Sequence, residues 1–252
     1  MKAMVLAAGL GTRLGPLTSG RPKALVRVAG HTLLEITLAR LRSFGIRDVI
    51  VNAHHYADMI VDYLAANQNF GMHIEVSRET ELLDTGGGLK NAAHFFLDSG
   101  AGEDEPFLLH NVDVLSDIDL AGMVAFHTAH AALATLAVQH RASSRQLLFD
   151  SGGQLRGRRI RGTDEGPGTP ADSAQPLEPI AFSGIHVLSP RIFAKMAEQG
   201  TFSIVDAYLR LAAQGETIVA FRAEGSYWRD LGRPGSLADA ERDLASGKFS
   251  IG

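Results

Sequence analysis

A glycine-rich turn with two cations is the feature of this 252-residue chain that is best suited to chemistry. Gly9 and Gly11 follow an apolar stretch, Lys2–Leu6, that we predict to be a strand. Arg13 lies within the turn, and Lys23 follows it closely. Such a turn presents backbone N–H groups to a ligand, and the two side chains add positive charge. The sequence therefore predicts a polyphosphate site in a protein that handles a nucleotide.

Two common phosphate-binding loops do not fit this turn. A Walker A loop ends in Gly-Lys-Ser or Gly-Lys-Thr, and neither triplet occurs near residue 9. A dinucleotide-binding turn needs a third glycine where this chain has Leu14. It also needs an acidic residue at the end of the second strand, and the run from Ile50 to His54 has none. The spacing therefore excludes a P-loop and argues against a redox Rossmann domain.

The pattern that does fit reads GxGTR followed by PK. The segment from Leu6 to Thr18 reads LAAGLGTRLGPLT, and the segment from Arg21 to Leu25 reads RPKAL. Both segments resemble the sugar-1-phosphate nucleotidyltransferases, whose first strand ends in LAAGxGTRLxPLT and whose lysine follows in PK. A glycine turn that merely joined a strand to a helix would leave both cations unexplained.

Composition narrows the class of protein further. Hydrophobic residues make up 45% and charged residues 21%, which is ordinary for a globular protein. The net charge of -4 without a long basic run argues against nucleic acid as a partner. There are no cysteines, and the ten histidines are too scattered to predict a metal site. No signal-peptide pattern or apolar run of about 20 residues occurs, so we expect a cytoplasmic protein without membrane contact.

Strand, helix and strand alternate along the first half of the chain, which predicts an α/β fold with a doubly wound, mostly parallel mixed sheet of Rossmann-like type. We expect one domain over residues 1–252, with a nucleotide-binding half at 1–115 and a sugar-phosphate-binding half at 116–252. Thr32 and Glu35 form a capping box that starts the first helix, and Gly45 ends it. The other strands are predicted at Val49–Asn52, His73–Val76, Pro106–Leu115, Ala132–Gln139, Ile180–Leu188 and Thr217–Ala223, with a hairpin between Leu147 and Arg156. The other helices are predicted at Ala57–Ala66, Leu89–Leu97, Ile118–His130, Pro190–Gln199, Ile204–Ala213 and Leu237–Leu244.

Residues 162–179 are rich in proline, glycine and small polar side chains, which predicts a loop. A lid over the site and a plain linker are both consistent with this composition, because long loops inside a domain are uncommon without a task.

Two carboxylates lie where a metal ion would be needed. Asp113 follows the predicted central strand, and Asp230 lies in a polar break before the last helix. In the resembled family, an aspartate that ends the central strand and a later one in a W-x-D-x-G context bind magnesium. Asp113 and Asp230 match those positions, so the resemblance implies a Mg2+ cofactor. A turn-capping role is the alternative for each.

The two cations suit different phosphates. Arg13 can fork onto the β- and γ-phosphates of a triphosphate, whereas Lys23 is a point charge suited to the α-phosphate. The resemblance implies the same roles, and it makes Arg13, Lys23, Asp113 and Asp230 the catalytic residues. The nucleotide-binding residues that it implies are Ala7, Ala8, Gly9, Gly11, Thr12, Arg13, Lys23, Thr85, Gly86 and Gly87.

The segment DTGGG, which contains Thr85, Gly86 and Gly87, resembles the base-binding segment of the family. Glycine there would permit unusual backbone angles and the close approach of a flat ring. The form is similar to ETGGG of uridylyltransferases that act on N-acetylmuramic acid 1-phosphate, although guanylyltransferases carry near relatives of it. A flexible helix start is the alternative.

Sugar recognition is expected from Asn111 beside the central strand and from Ser183 and Gly184, which match the family's sugar pocket. Each could equally be structural. The Glu-Lys-Pro segment, whose lysine holds the sugar phosphate in many members, does not occur in this chain. The candidates to replace that lysine are Arg156, Arg158, Arg159 and Arg161.

The resemblance implies an enzyme that joins a nucleoside triphosphate and a sugar 1-phosphate into an NDP-sugar and pyrophosphate. Uridylyl transfer to an N-acetylmuramate-like or hexose 1-phosphate is the first expectation. The alternatives are guanylyl transfer to mannose or heptose 1-phosphate, cytidylyl transfer to phosphocholine, and a regulatory subunit that binds nucleotide-sugar without turnover. A homo-oligomer is possible.

Overall fold

The computed structural model describes residues 1–97, 105–166 and 176–251. The strands in these ranges are β1 (Lys2–Leu6), β2 (Arg27–Val28), β3 (His31–Thr32), β4 (Asp48–Ala53), β5 (His73–Arg78), β6 (Phe107–Asn111), β7 (Val114–Ser116), β8 (Ala134–Gln139), β9 (Arg145–Phe149), β10 (Leu155–Ile160), β11 (Thr163–Glu165), β12 (Glu178–Leu188), β13 (Ile218–Arg222) and β14 (Trp228–Asp230). The helices are α1 (Leu33–Ser43), α2 (Ala57–Ala66), α3 (Asp84–Asn91), α4 (Ala93–Leu97), α5 (Leu120–Ala129), α6 (Ile192–Lys195), α7 (Ile204–Ala213) and α8 (Pro234–Ala245).

A ten-stranded mixed sheet organises the fold. One path through it has the order β11-β10-β9-β12-β6-β1-β4-β5, and β8 pairs with both β12 and β13. The neighbours β6, β1, β4 and β5 are parallel, whereas β12 is antiparallel to β6, β8 and β9. The predicted α/β class with a Rossmann-like mixed sheet is confirmed.

Helices cover both faces of the sheet because its central strands are apolar on both sides. In β1, Ala3 and Val5 join one buried core, and Met4 and Leu6 join the other. Helices α1, α2, α5 and α8 contribute to the first core, while α3, α4, α6 and α7 contribute to the second. Burial on two faces, worth about 1.5–3 kcal/mol per large aliphatic side chain, leaves the strand ends as the place for polar groups.

Local signals in the sequence start several elements as predicted. The Thr32 side chain accepts a hydrogen bond from Glu35 N, and the Glu35 side chain accepts one from Thr32 N, so the predicted capping box of α1 is confirmed. Gly45 follows α1 with φ +79°, which is the left-handed conformation expected after a helix end. Within the described ranges, none of the helices has the length and apolar character needed to cross a bilayer.

Three predicted elements have the wrong bounds at the site itself. The predicted strand Pro106–Leu115 is two strands. The first, β6, ends at Asn111, and Val112 N donates the next hydrogen bond to Leu6 O at 3.1 Å. The second, β7, lies outside the main sheet and pairs with β14. Asp230 therefore lies on a short strand rather than in a polar break. The helix predicted from Leu89 begins already at Asp84, so the three glycines lie inside it.

Other predictions need smaller corrections. The predicted helix Pro190–Gln199 is only α6, because Lys90 Nζ bonds the carbonyl oxygens of Met196 and Glu198 and holds that stretch outside a helix. The predicted loop 162–179 contains β11 at one end and the start of β12 at the other. Its residues 167–175 lie outside the described residues.

Candidate active site

A cleft with two halves lies at the carboxyl ends of β1 and β6, where ligands bind in open α/β sheets. The first half encloses about 460 Å³ and contains the glycine turn. The second half encloses about 560 Å³ and is lined by segments from β9, β10, β12 and β14. The residues that line both halves are Arg13, Asp84, Thr85, Asn111 and Asp113. Reactants bound in the two halves would therefore meet at these residues.

The glycine turn is shaped by its packing against Lys23. Gly11 has φ +65°, and a Cβ placed there would lie 2.9 Å from Thr18 Cγ2 and 3.0 Å from Lys23 Cβ. Thr18 Oγ1 donates to Gly11 O at 3.1 Å and so closes the turn. A side chain at Gly11 would be strained and would also displace the stem of Lys23. The spacing between the glycine and the lysine thus has a direct steric reason.

Four charged side chains converge at the junction of the two halves. Lys23 is only 7% exposed, and its Nζ bonds Asp113 Oδ2. A Cβ placed on Gly232 would lie 2.7 Å from Asp230 Oδ1, 3.0 Å from Arg13 Nη2 and 3.3 Å from Lys23 Nζ. Gly232 therefore lies at the centre of this group. The chain brings together two cations and two carboxylates that are up to 217 residues apart in sequence.

Backbone pairing brings the two carboxylates together. Strands β7 and β14 pair antiparallel with Asp230 opposite Val114, the residue after Asp113. Leu231 N also bonds Asp113 O at 2.8 Å, and Gly232 N bonds Asp230 Oδ1 at 2.6 Å. Within the described ranges there is no group of three or more histidines or acidic residues arranged for a metal ion.

A buried polar bridge that sequence reasoning missed supports the first half of the cleft, which contains the glycine turn. Asn52 is 2% exposed; its Oδ1 accepts from Ala7 N at 2.7 Å, and its Nδ2 donates to Glu79 Oε1 at 2.7 Å. Glu79 Oε2 in turn accepts from Leu83 N at 3.1 Å. The bridge ties the glycine turn to the segment that precedes α3. A polar residue inside the apolar strand β4 was the signal that could have revealed it.

The glycines of α3 do not line the cleft, whereas Asp84 and Thr85 do. Gly86 N and Gly87 N both donate to Phe202 O, and a Cβ on Gly86 would overlap the Phe202 ring. We expected these glycines to allow a base to approach closely, but they face the Phe202 segment rather than the cleft. They allow α3 to pack against the start of α7. Thr85 Oγ1 completes this contact by accepting from Ile204 N at 3.0 Å.

The predicted sugar-pocket residues meet in the second half of the cleft. Gly184 has φ +75° in a bulge of β12, and a Cβ there would lie 2.8 Å from Asn111 Nδ2. Within the described chain, Asn111 Oδ1 and Ser183 Oγ are buried without a hydrogen-bond partner. Buried polar atoms are rarely left unpaired, so these two oxygens mark a place where a polar ligand would be favoured.

The four arginines proposed to replace the missing lysine do not share one location. Only Arg158 and Arg159 line the cleft. Arg158 pairs with Glu165 and Asp206, and Arg159 pairs with Asp164. Arg156 bonds Asp150 Oδ2 at 2.8 Å outside the cleft, and Arg161 has φ +50° in the turn after β10. Two further arginines, Arg141 and Arg145, line the second half of the cleft and were missed.

Two buried histidines, His110 and His186, lie on the neighbouring strands β6 and β12. Burial lowers the pKa of His110 to about 4, with the charge of Arg40 acting in the same direction. Burial likewise lowers the pKa of His186 to about 3, and its Nδ1 lies 2.8 Å from Tyr208 Oη. Both rings are therefore neutral near pH 7. Of the two, His186 also lines the second half of the cleft.

Fold and site together define an α/β protein with a cleft at the carboxyl ends of the strands, where two cations and two carboxylates meet. Residues 2–247 match the sequence model of the family described as Nucleotidyl transferase. The chain belongs to this nucleotidyl transferase family.

Two curated relatives resemble the chain along most of its length. It is 33% identical over 252 residues to the N-acetylmuramate alpha-1-phosphate uridylyltransferase of Caulobacter vibrioides, with 96% of each protein covered. It is 27% identical over 246 residues to the mannose-1-phosphate guanylyltransferase of Mycobacterium tuberculosis, which covers 97% of this chain and 65% of that protein.

A solved structure shares the fold. The structure of HddC from Yersinia pseudotuberculosis, complexed with GMP-PN, superposes with a TM-score of 0.75 at 21% identity. The match covers 96% of this chain and 99% of that one.

Proposed function

We propose that the protein transfers a nucleotidyl group from a nucleoside triphosphate to a sugar 1-phosphate and releases pyrophosphate. The observation that carries this proposal is the convergence of Arg13, Lys23, Asp113 and Asp230 around Gly232, where the two halves of the cleft meet. In this proposal residues 1–115 supply most of the nucleotide half, and residues 116–252 supply most of the sugar half.

The reaction is an in-line displacement at phosphorus. A phosphate oxygen of the sugar 1-phosphate forms a bond to the α-phosphorus, and the bond from that phosphorus to the bridging oxygen breaks. The electron pair leaves with pyrophosphate. Arg13 would hold the β- and γ-phosphates and stabilise the departing charge, while Lys23 would face the α-phosphate. Binding both anions in fixed positions supplies the rest of the acceleration.

Asp113 and Asp230 fit a Mg2+ ion. Carboxylate oxygens are the ligands that Mg2+ prefers, and it binds phosphates through one or two carboxylates while keeping several waters. The pairing of β7 with β14 brings two such groups beside the cations. When bound, the ion would neutralise phosphate charge. Lys23 Nζ donates to Asp113 Oδ2, which orients this carboxylate.

Uridylyl transfer to an N-acetylmuramate-like or hexose 1-phosphate is the first choice. The similarity to the Caulobacter uridylyltransferase over 96% of both chains supports it. Guanylyl transfer to mannose 1-phosphate is the second candidate, supported by the guanylyltransferase relatives. A regulatory subunit is disfavoured because the chain retains both cations and both carboxylates. A cytoplasmic location and a homo-oligomer stay predictions.

Pyrophosphate release tests the proposal directly. The protein is incubated with Mg2+, one of UTP, GTP, CTP or dTTP, and one of several sugar 1-phosphates or phosphocholine. We expect release only when triphosphate and sugar phosphate are both present, with the highest rate for UTP. Release without any acceptor, or none with every pair despite bound nucleotide, would contradict the proposal.

A further inference from the structure

One arginine that lines the sugar half of the cleft, Arg141, differs from the other arginines there in its burial and in its contacts. Arg158 and Arg159 on β10 pair with carboxylates beside them, and Arg145 on β9 is exposed to solvent. Arg141 follows β8, and it forms no ion pair with any carboxylate of the described chain. Burial lowers the pKa of its guanidinium, and the charge of Asp230 opposes that effect. Arg141 is thus a half-buried cation without a direct counter-ion.

Its guanidinium is held in place by two contacts. The carbon at its centre lies 3.6 Å from the centroid of the Trp228 ring, and its Nη2 donates to Phe182 O. Trp228 is fixed in turn, because its Nε1 donates to Ser183 O at 2.8 Å. Stacking on an aromatic face orients the guanidinium plane and leaves its edge for hydrogen bonding. The Nε atom of Arg141 is buried without a partner among the described residues.

The position of this side chain connects the sugar half with the carboxylates. Trp228 and Asp230 both belong to the short strand β14, so the arginine stacks two residues from a proposed metal ligand. Asn111 and Ser183, whose buried oxygens have no partner, line the same half. A polar ligand in this half would therefore meet a fixed planar cation and two unpaired oxygen atoms.

We propose that Arg141 binds the phosphate of the sugar 1-phosphate and positions its attacking oxygen. This inference rests on the proposed function. A sugar phosphate carries close to two negative charges near neutral pH, and it must approach a triphosphate of the same sign. Arg13 and Lys23 serve the triphosphate. A separate cation on the acceptor side is therefore required, and a guanidinium fork matches a phosphate in two hydrogen bonds.

The test separates the two substrates kinetically. Initial rates of pyrophosphate release are measured for Arg141→Ala, Arg141→Lys and a control, Arg156→Ala, which removes an arginine bound to Asp150 outside the cleft. In Arg141→Ala we expect the KM for sugar 1-phosphate to rise about tenfold or more, since a charged hydrogen-bonding partner is lost. The KM for the triphosphate stays within about twofold, and Arg156→Ala behaves as wild type.

Arg141→Lys separates charge from geometry. The lysine keeps the charge but loses the fork, so we expect a smaller rise in the same KM and none in the other. This variant also carries the test if Arg141→Ala does not fold. A purely structural role of the stack on Trp228 would change both KM values together and lower the melting temperature, and that result would overturn the inference.

Two outcomes distinguish this inference from the proposed function. An unchanged KM for sugar 1-phosphate in Arg141→Ala, with an active wild type, overturns the role of Arg141 alone. Calorimetry of the wild type with a non-hydrolysable triphosphate and Mg2+ covers the other case. If no sugar 1-phosphate binds to that complex, the proposed function and the role of Arg141 both fail.

Discussion

The nucleotide half and the sugar half of the cleft are built in different ways. The nucleotide half comes mainly from one continuous run between Leu6 and Lys23, supported from below by the buried bridge of Asn52 and Glu79. The sugar half is assembled from the ends of β8, β9, β10, β12 and β14. Its cations are either paired with carboxylates or stacked on an aromatic ring.

This difference explains why the residues of the nucleotide half are easier to predict from the sequence than those of the sugar half. A turn that holds phosphates needs its glycines and cations at fixed spacing, so its chemistry is visible in a short motif. A pocket at the edge of antiparallel strands can take its polar groups from any of them. Arg141, Ser183 and Trp228 are far apart in the chain, and no local spacing connects them.

The largest effect on activity is expected when Lys23 is removed from the nucleotide half. Lys23→Ala deletes the cation proposed for the α-phosphate and leaves Asp113 without its partner. We expect turnover to fall on the order of a hundredfold or more, because one such group contributes a few kcal/mol in the transition state. Initial rates of pyrophosphate release measure it. The control is Lys195→Ala, an exposed lysine paired with Glu216; equal rates in both variants would remove Lys23 from the site.

The junction between the halves is tested through the two carboxylates. Asp113→Asn and Asp230→Asn each weaken a proposed Mg2+ ligand while keeping the shape of the side chain. We expect the Mg2+ concentration for half-maximal rate to rise about tenfold or more in each variant. We also expect chelation of the metal to abolish the activity of the wild type. An unchanged metal titration in either variant would mean that another group carries the ion.

The contact between α3 and α7 links the halves through packing rather than charge. Gly86→Ala places a Cβ against the Phe202 ring, and overpacking of this kind costs about 1–3 kcal/mol. That cost exceeds the gain of up to about 1 kcal/mol from replacing glycine by alanine in a helix. Urea unfolding measures the loss. Gly235→Ala in α8 is the matched control: its Cβ would meet nothing within 4 Å, so we expect equal or higher stability. Equal midpoints for the two variants would contradict the packing account.

Acid stability tests the place where β6 and β12 join the halves. The pKa values of His110, about 4, and His186, about 3, lie below the unfolded value of 6.5. Below pH 6.5 these histidines are protonated in the unfolded chain but stay neutral in the folded chain. The free energy of unfolding therefore falls as the pH drops from about 6.5 to about 4. Each histidine contributes about 1.4 kcal/mol per pH unit in that window. The urea midpoint measured across it should fall less steeply in His110→Gln, and an identical slope would contradict the assignment.

The fold was largely predictable where periodicity and capping agree. Helices α2 and α7 have the predicted bounds, because apolar residues at helical spacing pack on the sheet. Helix α3 was misread because glycine is a poor helix former, and only packing against Phe202 makes it helical there. The pair β7 and β14 was missed because strands of three residues carry almost no pattern of their own.

The site was predictable in part for the same physical reasons. Residues that line the cleft through a contiguous motif, such as Arg13 and Lys23, could be named from spacing. Asn52 was visible only as a polar residue in an apolar strand, and its partners Ala7 and Glu79 could not be named because they depend on how β4 packs beside β1 and α3. Arg141 could not either, because its stack on Trp228 exists only after β8 and β14 are brought together.

The central claim is that the glycine turn and the two aspartates enclose one metal-bound triphosphate. Crystals grown with Mn2+ and a non-hydrolysable triphosphate test it most directly, through the anomalous signal of manganese. The account predicts a peak between the carboxylates of Asp113 and Asp230, with the α-phosphate beside Lys23. A peak elsewhere, or a triphosphate bound away from the turn at Gly9 and Gly11, would contradict it.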